Sequence, residues 1–303
     1  MGKLKREMEK NKKNERKWKG ERGIKAGKDW EIEKIRLFGG GMRQVLKTVE
    51  GWWEERELGW RVIATVNPEF VMKARIDRRF SESLERASLR VLDGVTLWWI
   101  KRIREKRGER KRGGVLKNLV WGWQAGREIL KGKHLADMVP GSVLTEKLCG
   151  LAAKKGKTVF FLGGWQGAAK KTALFFRSRY PKLKVAGCYE GRKEREFDQE
   201  TLRGIQGELK RNGVEVVDLL LVAYGMGNQE KWMDRNLRRL PVKVAMGVGR
   251  TFDYYSGMMR MAPEVWKRLG LEWLYSLLQK GGWGRLKRQV RIWQLVGETV
   301  RGA

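Results

Sequence analysis

The chain has 303 residues, with 67 Lys and Arg against 35 Asp and Glu, for a formal net charge of +32. Hydrophobic residues make up 41%, which excludes a disordered chain and is enough for one large or two modest domains with a buried core. So large a charge implies an anionic partner, and composition does not choose between nucleic acid and a membrane surface.

Cys149, Cys188 and the single His134 are too few for a disulfide scaffold or a structural zinc site, and they suit a reducing compartment. No nucleophile motif surrounds His134, which reads as a lone surface histidine. No segment reaches the roughly 18 apolar residues of a transmembrane helix. The charged N-terminus has no apolar stretch of a signal peptide. The 15 tryptophans suit core packing first, then membrane interfaces or base stacking.

In chain order, residues 1–30 carry a net +7 with little apolar periodicity and read as a mobile basic arm, or equally a solvated tail without a role. Residues 31–100 carry only +1. W-R-V-I-A-T-V-N at 60–67 is an apolar run ending in a turn at Pro68, followed by a helical stretch from Glu69 to Arg79. L-R-V-L-D-G at 89–94 is a strand ending at Asp93-Gly94. Residues 101–135 then break the rhythm with a net +9. They read either as an interfacial amphipathic segment with Trp at headgroup depth, or as a solvated charged insertion over a small apolar cluster.

K-T-V-F-F-L-G-G at 157–164 is a strand running into a glycine turn, with a helix from Gln166 to Tyr180 after it. Further strands follow at 183–191, at 216–227 and at 242–249, with a helix from Gln229 to Arg239 between the last two. Strands alternating with helices predict an α/β domain over 31–263 with a parallel sheet covered on both faces. Residues 264–303 form a separate basic C-terminal part.

Thr65, Asn67, Asp93, Gly163, Gly225 and Gly249 all fall at the C-terminal ends of the expected strands, the edge where open α/β sheets bind ligands. Glycines there let a phosphate approach backbone N–H groups. They spell neither a dinucleotide fingerprint nor a P-loop.

The motifs also have a recognisable order. They are T-V-N-P-E at 65–69, L-D-G at 92–94, V-F-F-L-G-G at 159–164 and Y-P-K-L-K-V-A-G at 180–187. After these come G-x-G-N-Q-E-K-W at 225–232, G-V-G-x-x-F-D at 247–253, and A-P followed by G-L-E-W-L-Y at 270–275. Over about residues 35–295 the sequence resembles the WecG/TagA/CpsF glycosyltransferases.

That resemblance implies a Rossmann-like parallel sheet with helices on both faces, of the GT-E type, plus a helical C-terminal appendage that completes the site at the membrane. It implies inverting transfer of N-acetylmannosamine or its uronic acid from UDP to undecaprenyl-diphosphate-linked GlcNAc, feeding teichoic acid or related polymers. Neither metal nor cofactor is expected. The expected place is peripheral, on the inner face of the plasma membrane, with self-association left open.

Carried over residue by residue, the resemblance makes Asp93 the base; the plain alternative is an Asp-Gly turn. Thr65, Asn67 and Gln229 would contact substrate, the first two with turn capping as the alternative, while Glu230 would cap or form a salt bridge. Gly163, Gly164, Tyr189, Gly225, Gly247, Gly249 and Asp253 would line the nucleotide, with helix capping the alternative for Asp253. Without metal, the leaving diphosphate needs cations. Arg260, Arg268, Arg285 and Arg288 are the candidates.

The sequence departs from the family pattern at four polar places. Met138 and Val143 replace the Arg and Asp around V-P-G, Met261 replaces the Arg of R-A-P, and Ser276 replaces the Arg after L-E-W-L-Y. The usual E-P-R-R stretch has become Lys280-Gly281-Gly282-Trp283-Gly284-Arg285. Two other functions compete: a basic nucleic-acid-binding protein, and a catalytically inactive membrane scaffold of the same family. The near-neutral 31–100 and the absence of a nucleic-acid motif count against the first; retention of Asp93, Thr65, Asn67 and Gln229 counts against the second.

Overall fold

A computed structural model describes residues 29–55, 59–109, 114–279 and 286–302; the basic arm expected at 1–30 lies almost wholly outside them. A short antiparallel pair, β1 (Trp30–Ile32) and β2 (Ile35–Leu37), precedes a six-stranded sheet. Its strands are β3 (Arg61–Val66), β4 (Leu89–Leu92), β5 (Thr158–Gly163), β6 (Lys184–Tyr189), β7 (Val217–Ala223) and β8 (Val242–Gly247). They lie in the order β4-β3-β8-β7-β5-β6, and every pairing is parallel. This is the α/β architecture the sequence predicts, and each expected strand is present.

The helices in chain order are α1 (Met42–Glu54), α2 (Pro68–Ile76), α3 (Arg78–Glu85), α4 (Val95–Glu109), α5 (Val115–Leu130), α6 (Gly141–Lys155) and α7 (Ala168–Arg179). They continue with α8 (Asp198–Arg211), α9 (Asn228–Asn236), α10 (Thr251–Tyr255), α11 (Glu264–Arg268), α12 (Glu272–Leu278) and α13 (Leu286–Arg301). Helices cover both faces of the sheet, so β7 is apolar at successive positions rather than alternating. Leu219 and Leu221 pack towards α1, α6, α7 and α10. Leu220 and Val222 pack towards the opposite layer, which includes α2, α4, α8 and α9.

The turn expected at 67–68 is the first turn of α2: Asn67 Oδ1 accepts from the Phe70 amide at 3.1 Å, and Pro68 occupies the first helical position. Residues 101–135 fall on α4, α5 and the short turn Lys133–Ala136. Trp99 Nε1 donates to the Gly122 carbonyl at 2.8 Å, and a Cβ on Gly122 would lie 2.5 Å from the Trp99 ring. Glycine therefore lets α4 and α5 close on each other. Arg102 adds a two-pronged contact to Glu128.

Helix α13 packs on α2, α4 and α5. Its Leu295 and Thr299 are buried in that contact, Arg75 pairs with Glu298, and Asn118 Nδ2 donates to the Val300 carbonyl at 2.9 Å. No described helix is long and apolar enough to cross a membrane.

His134 is not the surface residue the sequence suggests; it is fully buried. Its ring meets Trp98 edge-on at 6.2 Å, and Nε2 lies 3.4 Å from the Lys267 carbonyl. An imidazole has enough apolar surface to pack and enough polarity to join two segments, and burial lowers its pKa, favouring the neutral form.

Candidate active site

The ends of β3 and β4 are held together by the chain that follows them. The Asp93 amide donates to the Val66 carbonyl at 2.8 Å. Gly94 has φ +106, and a Cβ there would sit 3.3 Å from Pro68 Cδ, so the turn requires glycine. The Val139 amide donates to the Leu92 carbonyl at 2.8 Å, carrying 139–141 alongside β4. That delivers Gly141, the first residue of α6, into the site. Its amide donates to Asp93 Oδ2 at 3.3 Å, and a Cβ on it would lie 3.1 Å from Thr65 Oγ1. Thr65, Asp93 and the N-terminus of α6 therefore converge at one point.

Burial pushes the Asp93 carboxyl up to about 7, the negative charge of Glu272 pushes in the same direction, and the Gly141 amide opposes both. Glu272 is raised too, first by its own burial and then by Glu264, with Lys267 opposing. Two contacts fix the approach of Glu272. Gly270 (φ +69) lies so close to Val95 that a Cβ would be 2.8 Å from Cγ2, and His134 meets the Lys267 carbonyl. Within L-E-W-L-Y, Glu272 carries no role that the sequence assigns; a glutamate inside an apolar run is the one signal for it.

Asn67 has its side-chain oxygen committed to the α2 cap. Gln229 is buried, and both ends of its amide are engaged: Oε1 accepts from Gly249 N at 2.9 Å, and Nε2 donates to Glu230 Oε1 at 2.8 Å. Its side chain therefore fixes the Gly249 loop. A Cβ on Gly247 would be 2.5 Å from Gln229 Nε2, so that glycine makes room for the glutamine. Glu230 caps the start of α9 by accepting from the Gly227 amide at 2.6 Å, and burial raises its carboxyl to about 7.

Gly249 (φ +51) and Gly225 (φ +79) have open space where a Cβ would stand. Gly163 and Gly164 also have positive φ, but a Cβ on either would meet protein at 2.9 Å: Tyr224 for the first and Ala168 for the second. Their loop lies four strands from β4, on the order of 19 Å across the sheet. Tyr189 stands on the far edge strand, about 24 Å from β4 by the same spacing, with its ring against Gly204. The structure therefore does not bring Tyr189 to Asp93.

Asp253 lies in the first turn of α10. Arg260 and Arg268 are exposed. Arg285 lies outside the described residues, as does the side chain of Arg288. Of the departures, Met138 is buried in the core, Met261 packs against the opposite layer, and Val143 is half-buried. Among the described residues, no group of three or more His, Cys, Asp or Glu could hold a metal ion.

The chain matches the glycosyl transferase WecG/TagA/CpsF family over residues 30–115 and 117–301. One relative, the N-acetylglucosaminyldiphosphoundecaprenol N-acetyl-beta-D-mannosaminyltransferase of Bacillus subtilis (strain 168), is 27% identical over 247 residues, 82% of each chain. The protein belongs to the WecG/TagA/CpsF family and is a glycosyltransferase.

Proposed function

We propose that this glycosyltransferase moves an N-acetylhexosamine-type sugar, N-acetylmannosamine or its uronic acid, from UDP to GlcNAc linked to a polyprenyl diphosphate, with inversion at the anomeric carbon. The acceptor class follows the activity for which the Bacillus subtilis relative is named. The UDP donor and the inverting course rest on the family resemblance. The observation that carries the reading is Asp93: a carboxyl raised to about 7, at the sheet edge where the ends of β3, β4 and α6 meet.

In this mechanism ionised Asp93 accepts the proton of the acceptor hydroxyl as its oxygen bonds to the anomeric carbon, while the bond from that carbon to the UDP oxygen breaks. A base that titrates near the working pH combines an available ionised form with enough basicity to take the proton. Thr65 Oγ1 stands beside Asp93 as a donor or acceptor for a sugar hydroxyl. The leaving diphosphate needs oriented donors, and the open Gly225 and Gly249 turns with the exposed Arg260 and Arg268 are the groups offered for it. The enzyme works from the inner face of the plasma membrane, where a lipid-linked acceptor presents its sugar.

The test is product analysis with a panel of UDP-N-acetylhexosamines and a polyprenyl-diphosphate-GlcNAc acceptor. A single new glycosidic bond, inverted relative to the donor, supports the reading. Retention of configuration would remove the single-base mechanism.

A further inference from the structure

Helix α5 has two apolar stripes on opposite sides. One carries Asn118, Trp121, Gly122 and Ala125, all buried. The other faces outward: Leu116 is 80% exposed, Leu119 51%, Val120 53%, Trp123 63% and Leu130 66%. Their spacing repeats on the helical period, so they form one continuous side of the helix. Isolated exposed leucines are ordinary, but five large apolar side chains in a row along 16 residues form a patch that asks for a partner.

The surroundings of the stripe favour one kind of partner. Lys117, Arg127 and Lys131 are exposed on or beside it, and the Arg127 guanidinium stands 4.9 Å over the Trp123 ring. The nearby acidic residues Glu105 and Glu128 are both paired with Arg102 and do not neutralise these cations. A single-stranded nucleic acid would find one stacking ring here, Trp123, among aliphatic side chains that offer its bases little. A second copy would bring an equally basic face against this one, in a chain of net charge +32. An anionic bilayer offers both an apolar interior and phosphates at its surface.

We propose that the outward face of α5 is the surface by which the protein lies on an anionic lipid bilayer, Leu116, Leu119, Val120 and Trp123 entering the acyl boundary while Lys117, Arg127 and Lys131 meet headgroup phosphates. The proposal deepens the lipid-linked acceptor reading, on which its purpose rests. From Leu130 the chain passes through the turn Lys133–Ala136 directly to Gly141, the donor to Asp93.

The test is flotation of the full chain with vesicles of phosphatidylcholine alone and of phosphatidylcholine containing phosphatidylglycerol. The wild type is expected to float with the anionic vesicles. Two double variants, Leu116→Ser with Trp123→Ser, and Lys117→Glu with Arg127→Glu, are each expected to lose about tenfold or more in partitioning. Their thermal unfolding should match the wild type, since all four side chains are exposed. Wild-type flotation by both variants would overturn the proposal. So would a wild type that ignores vesicles and instead binds a random oligonucleotide or self-associates through the stripe. Turnover of a water-soluble short-chain acceptor separates the two readings. Turnover retained by the variants supports the surface assignment; absence of turnover even in the wild type defeats the proposed transfer while flotation still decides the surface.

Discussion

Gly141 N donates to Asp93 Oδ2 across 3.3 Å, a backbone donation that opposes the desolvation of this carboxylate and the charge of Glu272. The balance leaves Asp93 titrating near 7, well above an ordinary aspartate. If ionised Asp93 takes the acceptor proton, kcat/KM should rise with pH along an acid limb centred near 7. A limb near 4 would mean that Asp93 sits in a far wetter setting than this one or is not the base.

Glu272 supplies part of that elevation through its negative charge. Glu272→Gln removes the charge and keeps the shape, so the acid limb should move to lower pH; Glu272→Asp should largely restore it. A merely structural role for Glu272 would lower kcat or stability and leave the limb where it stands.

The same shift ties stability to pH. A carboxyl whose folded pKa is raised binds more protons in the native state between about 4 and 7, so its contribution is full at low pH and is lost as pH rises through 7. Asp93→Asn cannot ionise and escapes that loss. It should unfold at higher denaturant than wild type at pH 8, by at most about 4 kcal/mol, and the difference should close towards pH 4. Equal stability at both pH values would remove the premise of a base raised by desolvation.

The sheet and the turns at its edge were legible because they rest on local signals: long apolar runs, each closed by glycine, Asn67-Pro68 or Asp93-Gly94. What was not legible rests on contacts distant in sequence. His134 reads as exposed until Trp98 and the Lys267 carbonyl close over it. Glu272 gains meaning only when Gly270 settles on Val95, two residues past Asp93. Gln229 reads as a substrate ligand, yet its amide is taken up by Gly249 and Glu230, partners that no spacing in the sequence indicates. The open side of α5 was hidden for a similar reason, because both of its faces are apolar and only packing shows which is covered.

Gln229→Ala should leave Glu230 Oε1 and the Gly249 amide without their partner, costing about 1–3 kcal/mol in chemical denaturation. Donor KM should rise with it, because the Gly249 loop loses its anchor. A stability loss with unchanged donor KM would detach that loop from the nucleotide.

The docking of α13 depends on burial more than on charge. Leu295→Ala, at a side chain only 1% exposed, should cost about 2–5 kcal/mol. Arg75→Ala, which breaks half-exposed pairs with Glu33 and Glu298, should cost under about 1 kcal/mol. Denaturation midpoints in the reverse order would show that the ion pairs hold the helix.

The most direct test of the central claim is acceptor-dependent UDP release by wild type and Asp93→Asn, measured at pH 8 on protein shown to be folded. We expect release by the wild type with at least one UDP-N-acetylhexosamine, and its loss by a factor of about 100 or more in the variant. Release that persists unchanged in Asp93→Asn would contradict the assignment of this carboxylate as the base.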